Sequence, residues 1–318
     1  MKTLSQYKAL VEEGIRNLDL NREPKGLYAP IEYGLEEGGK RLRPVLTLAA
    51  CEAVGAPADK AMNQALGVEI FHNFTLLHDD VMDKADVRRG RPAVHRKFSE
   101  SSAILSGDAM LTLATQTVVT GCGDMLKRVL NLFNTTAMEI YQGQQLDMDF
   151  ETRTDVKVDE YMEMIRLKTS VLLGCACAMG AIMGGCAKST VDALYSYGEK
   201  LGLSFQLKDD WLDTYGDPAT FGKEIGGDIL NEKKTWLLIT ALGEDSSGAL
   251  ADALGRKGNE KINAVREVYD TLELSQRCRA LEEKYAEEAV DCLAKSEISD
   301  EAREFFTKLA LDSINRTK

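Results

Sequence analysis

The sequence predicts an all-α protein on three observations. Only six prolines occur, none of them within 93–217 or after Pro218, and proline is the strongest breaker of a helix interior. Helical spacing is easy to find: Ala65, Val68, Glu69, His72 and Leu76 fall on one face, as do Leu130, Phe133, Thr136, Ala137 and Ile140. Period-two alternation of β-branched residues, the mark of a strand, is scarce. At 318 residues the chain can bury a sizeable core, and with no convincing linker or internal repeat it is expected to form a single domain over 1–318.

In chain order, the first informative element is GGKRLRP, residues 38–44, a basic island of Lys40, Arg41 and Arg43. The chain around it is acidic, with 39 Lys and Arg against 51 Asp and Glu and a net charge of −12. That balance repels nucleic acid and anionic membranes, so clustered bases are expected to meet a specific anion. Guanidinium groups hold phosphate oxygens in bidentate fashion, which makes these residues diphosphate clamps.

The next helix ends in DDVMD, with Asp79, Asp80 and Asp83. Positions i and i+4 stack about 6 Å apart along a helix axis, so Asp79 and Asp83 project together while Asp80 turns about 100° away. Arg88 and Arg89 follow within two turns. A second copy of the pattern, DDWLD, places Asp209, Asp210 and Asp213 on another helix among apolar neighbours. Two such motifs can face each other across a cavity, and oxygen-only ligands without His or Cys favour Mg2+ over zinc. The EF-hand loop spacing of calcium sites is absent.

Between the two motifs lies SVLLGCACAMGAIMGGCA, residues 170–187, uncharged and long enough to approach a membrane span. Its glycines, alanines and cysteines with few large aliphatics predict instead a core helix at close interhelical approach, and no transmembrane segment. Residues 217–229 and 243–262 are expected to be loops. Seven cysteines, an odd number without CxxC pairing, suggest a reducing cytoplasm, and Cys175 with Cys177 are expected as buried thiols.

With these residues in place, the chain resembles the trans-isoprenyl diphosphate synthases, the short-chain polyprenyl synthetases of the farnesyl and geranylgeranyl type. The matching landmarks run in the family's order from GGKRLRP to NEKKTW at 231–236. The resemblance implies one large bundle of long helices around a central cavity, the isoprenoid synthase type I fold, working as a homodimer. It implies an Mg2+-dependent prenyltransferase that condenses isopentenyl diphosphate head-to-tail with allylic diphosphates, three ions being held when substrate is bound. Residue by residue it assigns Asp79, Asp83 and Asp209 to the metal, with Asp80, Asp210 and Asp213 in support. Lys40, Arg43, His72 and Arg89 match the isopentenyl diphosphate pocket; Arg88, Lys168, Lys223 and Lys233 match the clamp on the allylic diphosphate. Gln144 and Asp147 of GQQLD match a motif facing the same cavity, and Thr169 and Gln206 match groups beside the developing cation.

In that family a bulky residue one turn before the first motif blocks the growing chain. Phe74 therefore predicts a short product, while Thr75, which is not a second aromatic, brings the pattern closer to the geranylgeranyl type. Fifteen and twenty carbons both stay open. The alternatives are a terpene cyclase, which needs no second diphosphate pocket, and a noncatalytic subunit of a heteromeric synthase, in which the aspartates would be eroded.

Overall fold

The computed structural model describes residues 1–36, 39–217 and 225–315. In chain order the helices are α1 (Leu4–Arg16), α2 (Lys25–Leu35), α3 (Leu42–Ala53) and α4 (Met62–Met82). A two-strand ribbon follows, β1 (Val87–Arg88) and β2 (Arg91–Pro92), antiparallel with Arg88 opposite Arg91. Then come α5 (Val94–Lys97), α6 (Glu100–Val119), α7 (Leu126–Thr152), α8 (Val158–Ile165), α9 (Val171–Gly184) and α10 (Lys188–Tyr215). The last are α11 (Gly227–Leu230), α12 (Trp236–Glu244), α13 (Ala249–Leu254), α14 (Gly258–Thr271), α15 (Leu274–Cys292) and α16 (Asp300–Ile314). The all-α fold class holds, with the ribbon as the one departure among the described residues. Its turn, Arg89-Gly90, has positive φ at both positions (53° and 75°), the backbone that closes a two-residue hairpin without splaying the strands.

Helix starts follow local chemistry. Thr3 and Gln6 make a reciprocal capping box, Ser99 accepts from the Ser102 amide at 3.1 Å, and Thr235 accepts from the Leu238 amide at 3.4 Å. Residues 243–262 are more helical than expected. Asp245 accepts from the backbone amides of Ser247 and Leu250, and Gly248 at φ 81° opens α13, so polar residues and glycine there begin helices instead of forming one long loop.

The described chain forms two compact units. The first comprises Met1–Thr135, Cys175–Tyr195 and Ser296–Arg303. Within it α4 is buried almost all round, and α9 meets α3 where a methyl group on Gly180 would lie 2.0 Å from the Thr47 carbonyl oxygen. The small residues of 170–187 thus serve close helix approach. The helical stretch Val158–Gly184 is long and apolar enough to cross a membrane, and 83% of its apolar 18-residue window is buried. Cys175 and Cys177 are buried free thiols, and burial pushes Cys177 far above the ordinary thiol range.

The second unit comprises Thr136–Gly174, Ser196–Lys295 and Glu304–Lys318. Its core joins Tyr161, Met164, Leu203, Leu207, Trp236 and Leu237 to residues of α14 and α15. The C-terminal helices brace α10 directly. Trp211 Nε1 donates to Ser275 Oγ at 3.0 Å, and Lys208 Nζ stands 3.6 Å from Glu282, both side chains almost wholly buried. Sequence reasoning assigned these residues no role beyond packing.

Candidate active site

The residues singled out in the sequence gather as two clusters, one in each unit. In the first, α4 ends at the acidic motif: Asp83 donates its backbone N–H to the Asp79 carbonyl at 2.8 Å, so the helical turn that stacks the two carboxylates is intact. Like charges at i and i+4 repel by a few tenths of a kcal/mol, and the negative end of a helix adds to the penalty. A cation reverses both effects. Asp80 is buried and accepts from Arg88 Nε at 2.9 Å and Nη2 at 2.5 Å, which fixes the first strand of the ribbon to the motif.

The basic island divides. Arg41, expected as a clamp, is buried and spent on structure: it bonds Glu12, Glu69 and the Leu35 carbonyl at 2.7–2.9 Å while its own backbone sits in the left-handed region. Its neighbours stay with the anion-binding candidates. Lys40 is exposed, and Arg43 Nη1 donates to His72 Nε2 at 3.2 Å. A guanidinium only donates, so His72 accepts at Nε2 and is neutral there. Burial, then the charges of Arg43, Arg89, Arg88 and Arg41, hold the His72 imidazole well below its ordinary range. Arg89, at the ribbon turn, packs its guanidinium against Gly39, where an added methyl would come within 3.1 Å. Burial also lowers Arg89. Four arginines concentrated on one neutral histidine form a positive island with the chemistry of an anion site.

In the second cluster the chain between α8 and α9 makes a single π-helical turn at Arg166–Ser170, carrying Lys168 and Thr169. Such wide turns re-aim side chains that an unbroken helix would send elsewhere. Two glycines hold it: methyl groups on Gly143 of α7 and Gly202 of α10 would lie 2.3 Å from the Lys168 nitrogen and 2.5 Å from Ser170 Cα. Lys168 Nζ donates to Asp147 at 2.5 Å. Burial disfavours charge on Asp147, but Lys233 and Lys168 outweigh it and the carboxyl is lowered. Gln144, one turn before Asp147, keeps both amide atoms buried with no hydrogen-bond partner among the described residues.

A directed relay fixes the other polar groups. Thr169 Oγ1 donates to Gln206 Oε1 at 3.1 Å, Gln206 Nε2 donates to Asp210 at 3.0 Å, and the Tyr161 hydroxyl donates to the other Asp210 oxygen. Asp210 therefore orients Gln206, and Gln206 orients Thr169 with its lone pairs turned away. Burial and the neighbouring Asp228 push Asp210 up to about 7, against the opposing pull of Tyr161, Lys233 and Gln206. Asp213 accepts from the Asp228 amide at 2.9 Å, and its carbonyl accepts from Gly226 at 2.7 Å, so it anchors the chain entering α11. Tyr161 was missed in the sequence, where nothing marks it. Lys223 lies outside the described residues.

The donor set fits Mg2+: paired carboxylates, oxygen only, with cationic side chains nearby for phosphate. Among the described residues no three acidic, Cys or His side chains form a ready-made cage. That accords with an ion bound through one or two carboxylates plus substrate phosphates and water.

Comparison with known proteins points the same way. The polyprenyl synthetase family profile matches residues 24–272. A short chain isoprenyl diphosphate synthase of Methanothermobacter thermautotrophicus is 39% identical over 290 residues, 90% of this chain and 87% of that protein. A geranylgeranyl diphosphate synthase of Methanosarcina mazei is 39% identical over 251 residues, 78% of this chain and 76% of that protein. The crystal structure of a geranylgeranyl pyrophosphate synthase superposes with a TM-score of 0.95 at 42% identity, covering 100% of both chains. These relatives are synthases, and nothing favours a terpene cyclase. Enzymes of the family use Mg2+, isopentenyl diphosphate and allylic diphosphates. The chain thus belongs to the polyprenyl synthetase family and is a short-chain trans-prenyltransferase.

Proposed function

We propose that the chain makes geranylgeranyl diphosphate, adding isopentenyl diphosphate to allylic diphosphates, with farnesyl diphosphate as a primer. The observation that carries the site assignment is the arginine cluster around neutral His72, which supports a pocket for the diphosphate of isopentenyl diphosphate formed by Lys40, Arg43, His72 and Arg89. Asp79, Asp83 and Asp209 hold Mg2+, three ions in all, countable by metal analysis with a non-ionisable substrate analogue. When bound, the metal neutralises charge on the allylic diphosphate as its C–O bond breaks.

The protein's own groups do the rest. Arg88, Lys168, Lys233 and Lys223 bind the allylic diphosphate. Lys168 has three donors, of which Asp147 takes one. The Thr169 lone pairs and the Gln206 dipole stabilise the allylic cation, and because Thr169 donates its proton within the relay its oxygen is held in place. The isopentenyl double bond attacks the cation, one C–C bond forms, and the released diphosphate accepts the departing proton. Gln144, with its buried amide unsatisfied, is assigned to substrate, since leaving both ends unpaired costs about 1–3 kcal/mol for each group.

Phe74 is the floor of the product pocket and Thr75 the small neighbour that leaves room for twenty carbons. The Phe74 ring is buried, and Thr75 turns its hydroxyl to the His72 carbonyl at 2.8 Å. The test is to supply labelled isopentenyl diphosphate with dimethylallyl, geranyl or farnesyl diphosphate, dephosphorylate the products with a phosphatase and size them. A twenty-carbon alcohol that disappears with chelator is expected, and Phe74→Ala is expected to lengthen it by at least one isoprene unit. A fifteen-carbon limit would overturn the product assignment; an unchanged length in the variant would move the floor elsewhere.

His72 provides an independent check. An anion bound among the arginines offsets the charges that hold the imidazole down, so its pKa rises on binding and a proton is taken up between the free and bound values. Affinity then increases as pH falls through that window. Titrating the imidazole proton resonances with and without inorganic diphosphate should show the His72 value rising. An unmoved His72 would place the anion elsewhere.

We also propose that the chain is one domain, a homodimer, and cytoplasmic. Neither compact unit is a continuous stretch, and α7, α10 and α16 each begin in one and end in the other. Ile104 and Leu105, neighbours on α6, are large apolar side chains left 44% and 59% exposed, which supports a partner surface there; sedimentation of the purified chain tests it. All seven cysteines are free thiols, in keeping with a reducing compartment.

A further inference from the structure

Four rings form an unbroken chain within the first unit. Phe133 and Phe71 meet edge to face with centroids 5.2 Å apart, Phe71 and Phe74 are 5.4 Å apart, and Phe74 meets His78 edge to face at 4.9 Å. The far end of this chain is fixed by backbone. His78 Nε2 donates to the Ile104 carbonyl at 3.1 Å, which assigns the proton to Nε2 because a carbonyl only accepts. The Nε2–Cδ2 side of its ring packs against Gly107, where an added methyl would come within 2.2 Å of Nε2 and 2.5 Å of Cδ2. The imidazole is therefore held on one side by α6 and presses on the Phe74 ring with the other.

We propose that His78 is the positioning residue for product length: wedged between Gly107 and Phe74, it fixes the Phe74 rotamer and so the depth to which a prenyl chain can grow. The inference rests on Phe74 being the floor and adds what makes that floor rigid. An aromatic side chain free at one edge can turn about χ1 into a neighbouring staggered well, moving its ring by several ångströms, about the length of one isoprene unit. Removing the imidazole opens a space beside Phe74 into which it can turn, while the Phe71 contact on its other side remains.

The test measures product carbon number for the wild type, Phe74→Ala, His78→Ala, Gly107→Ala and the double variant His78→Ala/Gly107→Ala, with farnesyl diphosphate, isopentenyl diphosphate and magnesium. Product length is independent of how much activity each variant keeps, so a mere loss of rate from changing the neighbour of Asp79 leaves the readout intact. His78→Ala is expected to lengthen the product by at least one unit. Gly107→Ala, which forces the imidazole off its seat, is expected to alter the length in the presence of His78 and to add nothing in its absence. If Phe74→Ala lengthens the product and His78→Ala does not, the positioning role is wrong and the floor stands; if neither lengthens it, both fall. Should His78→Ala fail to accumulate as folded protein, Gly107→Ala decides alone, and an unchanged product overturns the inference.

Discussion

Asp79→Asn is expected to lower kcat/KM by on the order of 10³-fold while leaving the protein folded. The rate loss follows from removing one carboxylate that holds the ion neutralising the leaving diphosphate. Such Lewis-acid assistance is worth several kcal/mol, and each 1.36 kcal/mol is about tenfold in rate. A folded variant with that rate loss separates a metal ligand from an aspartate that serves the fold alone. Steady-state kinetics at varied magnesium and a thermal melt measure both, and a variant within tenfold of wild type at saturating magnesium would remove Asp79 from the metal.

Gly143→Ala is expected to lower both stability and rate, by a different route. The added methyl would sit 2.3 Å from the Lys168 nitrogen and 2.7 Å from its Cα, and neither atom belongs to a side chain that can swing aside. The π turn or α7 must shift. Overpacking of this kind costs about 1–3 kcal/mol of stability. The displaced turn carries Lys168 and Thr169 with it, and a misplacement of about 1 Å at a reacting centre costs on the order of 10²-fold in rate. Because Lys168 meets Asp147, one helical turn beyond Gly143 on α7, the ion pair is disturbed too. A lowered melting midpoint together with a lowered kcat is the expected pair of results. Wild-type kcat in a folded variant would show that the turn does not need its present seat.

These two residues differ in how visible they are in the sequence. Asp79 declares itself, because carboxylates at i and i+4 before a basic stretch are a pattern of residue types. Gly143 does not. The need for a missing side chain arises only when a wide turn from elsewhere in the chain packs against it, and helical periodicity contains no sign of an i+5 turn. The small-residue run at 170–187 was legible as a close-packed helix because its whole composition pointed there. Arg41 was legible as basic but not as structural; its left-handed backbone and its pairing with Glu12 and Glu69 are properties of the folded loop. Tyr161 bonds a residue 49 positions away, a separation that no local spacing rule reaches. Residues 243–262 were misjudged on composition, since polar residues and glycine both punctuate loops and open helices.

The brace on α10 bears on where a working enzyme can be cut. The shared family pattern ends at residue 272, which makes that point look like a natural terminus. Yet Ser275, Cys278 and Glu282 come after it, and they meet Trp211, Leu207 and Lys208 on the helix that carries the second aspartate motif. A shortened gene ending at 272 would strip the carboxylate that faces a buried lysine, a change costing about 3–5 kcal/mol, and would leave the motif complete in letters but unsupported in space. The profile marks where the family pattern is recognised; the stretch that folds extends past it, because α10 is held from beyond residue 272.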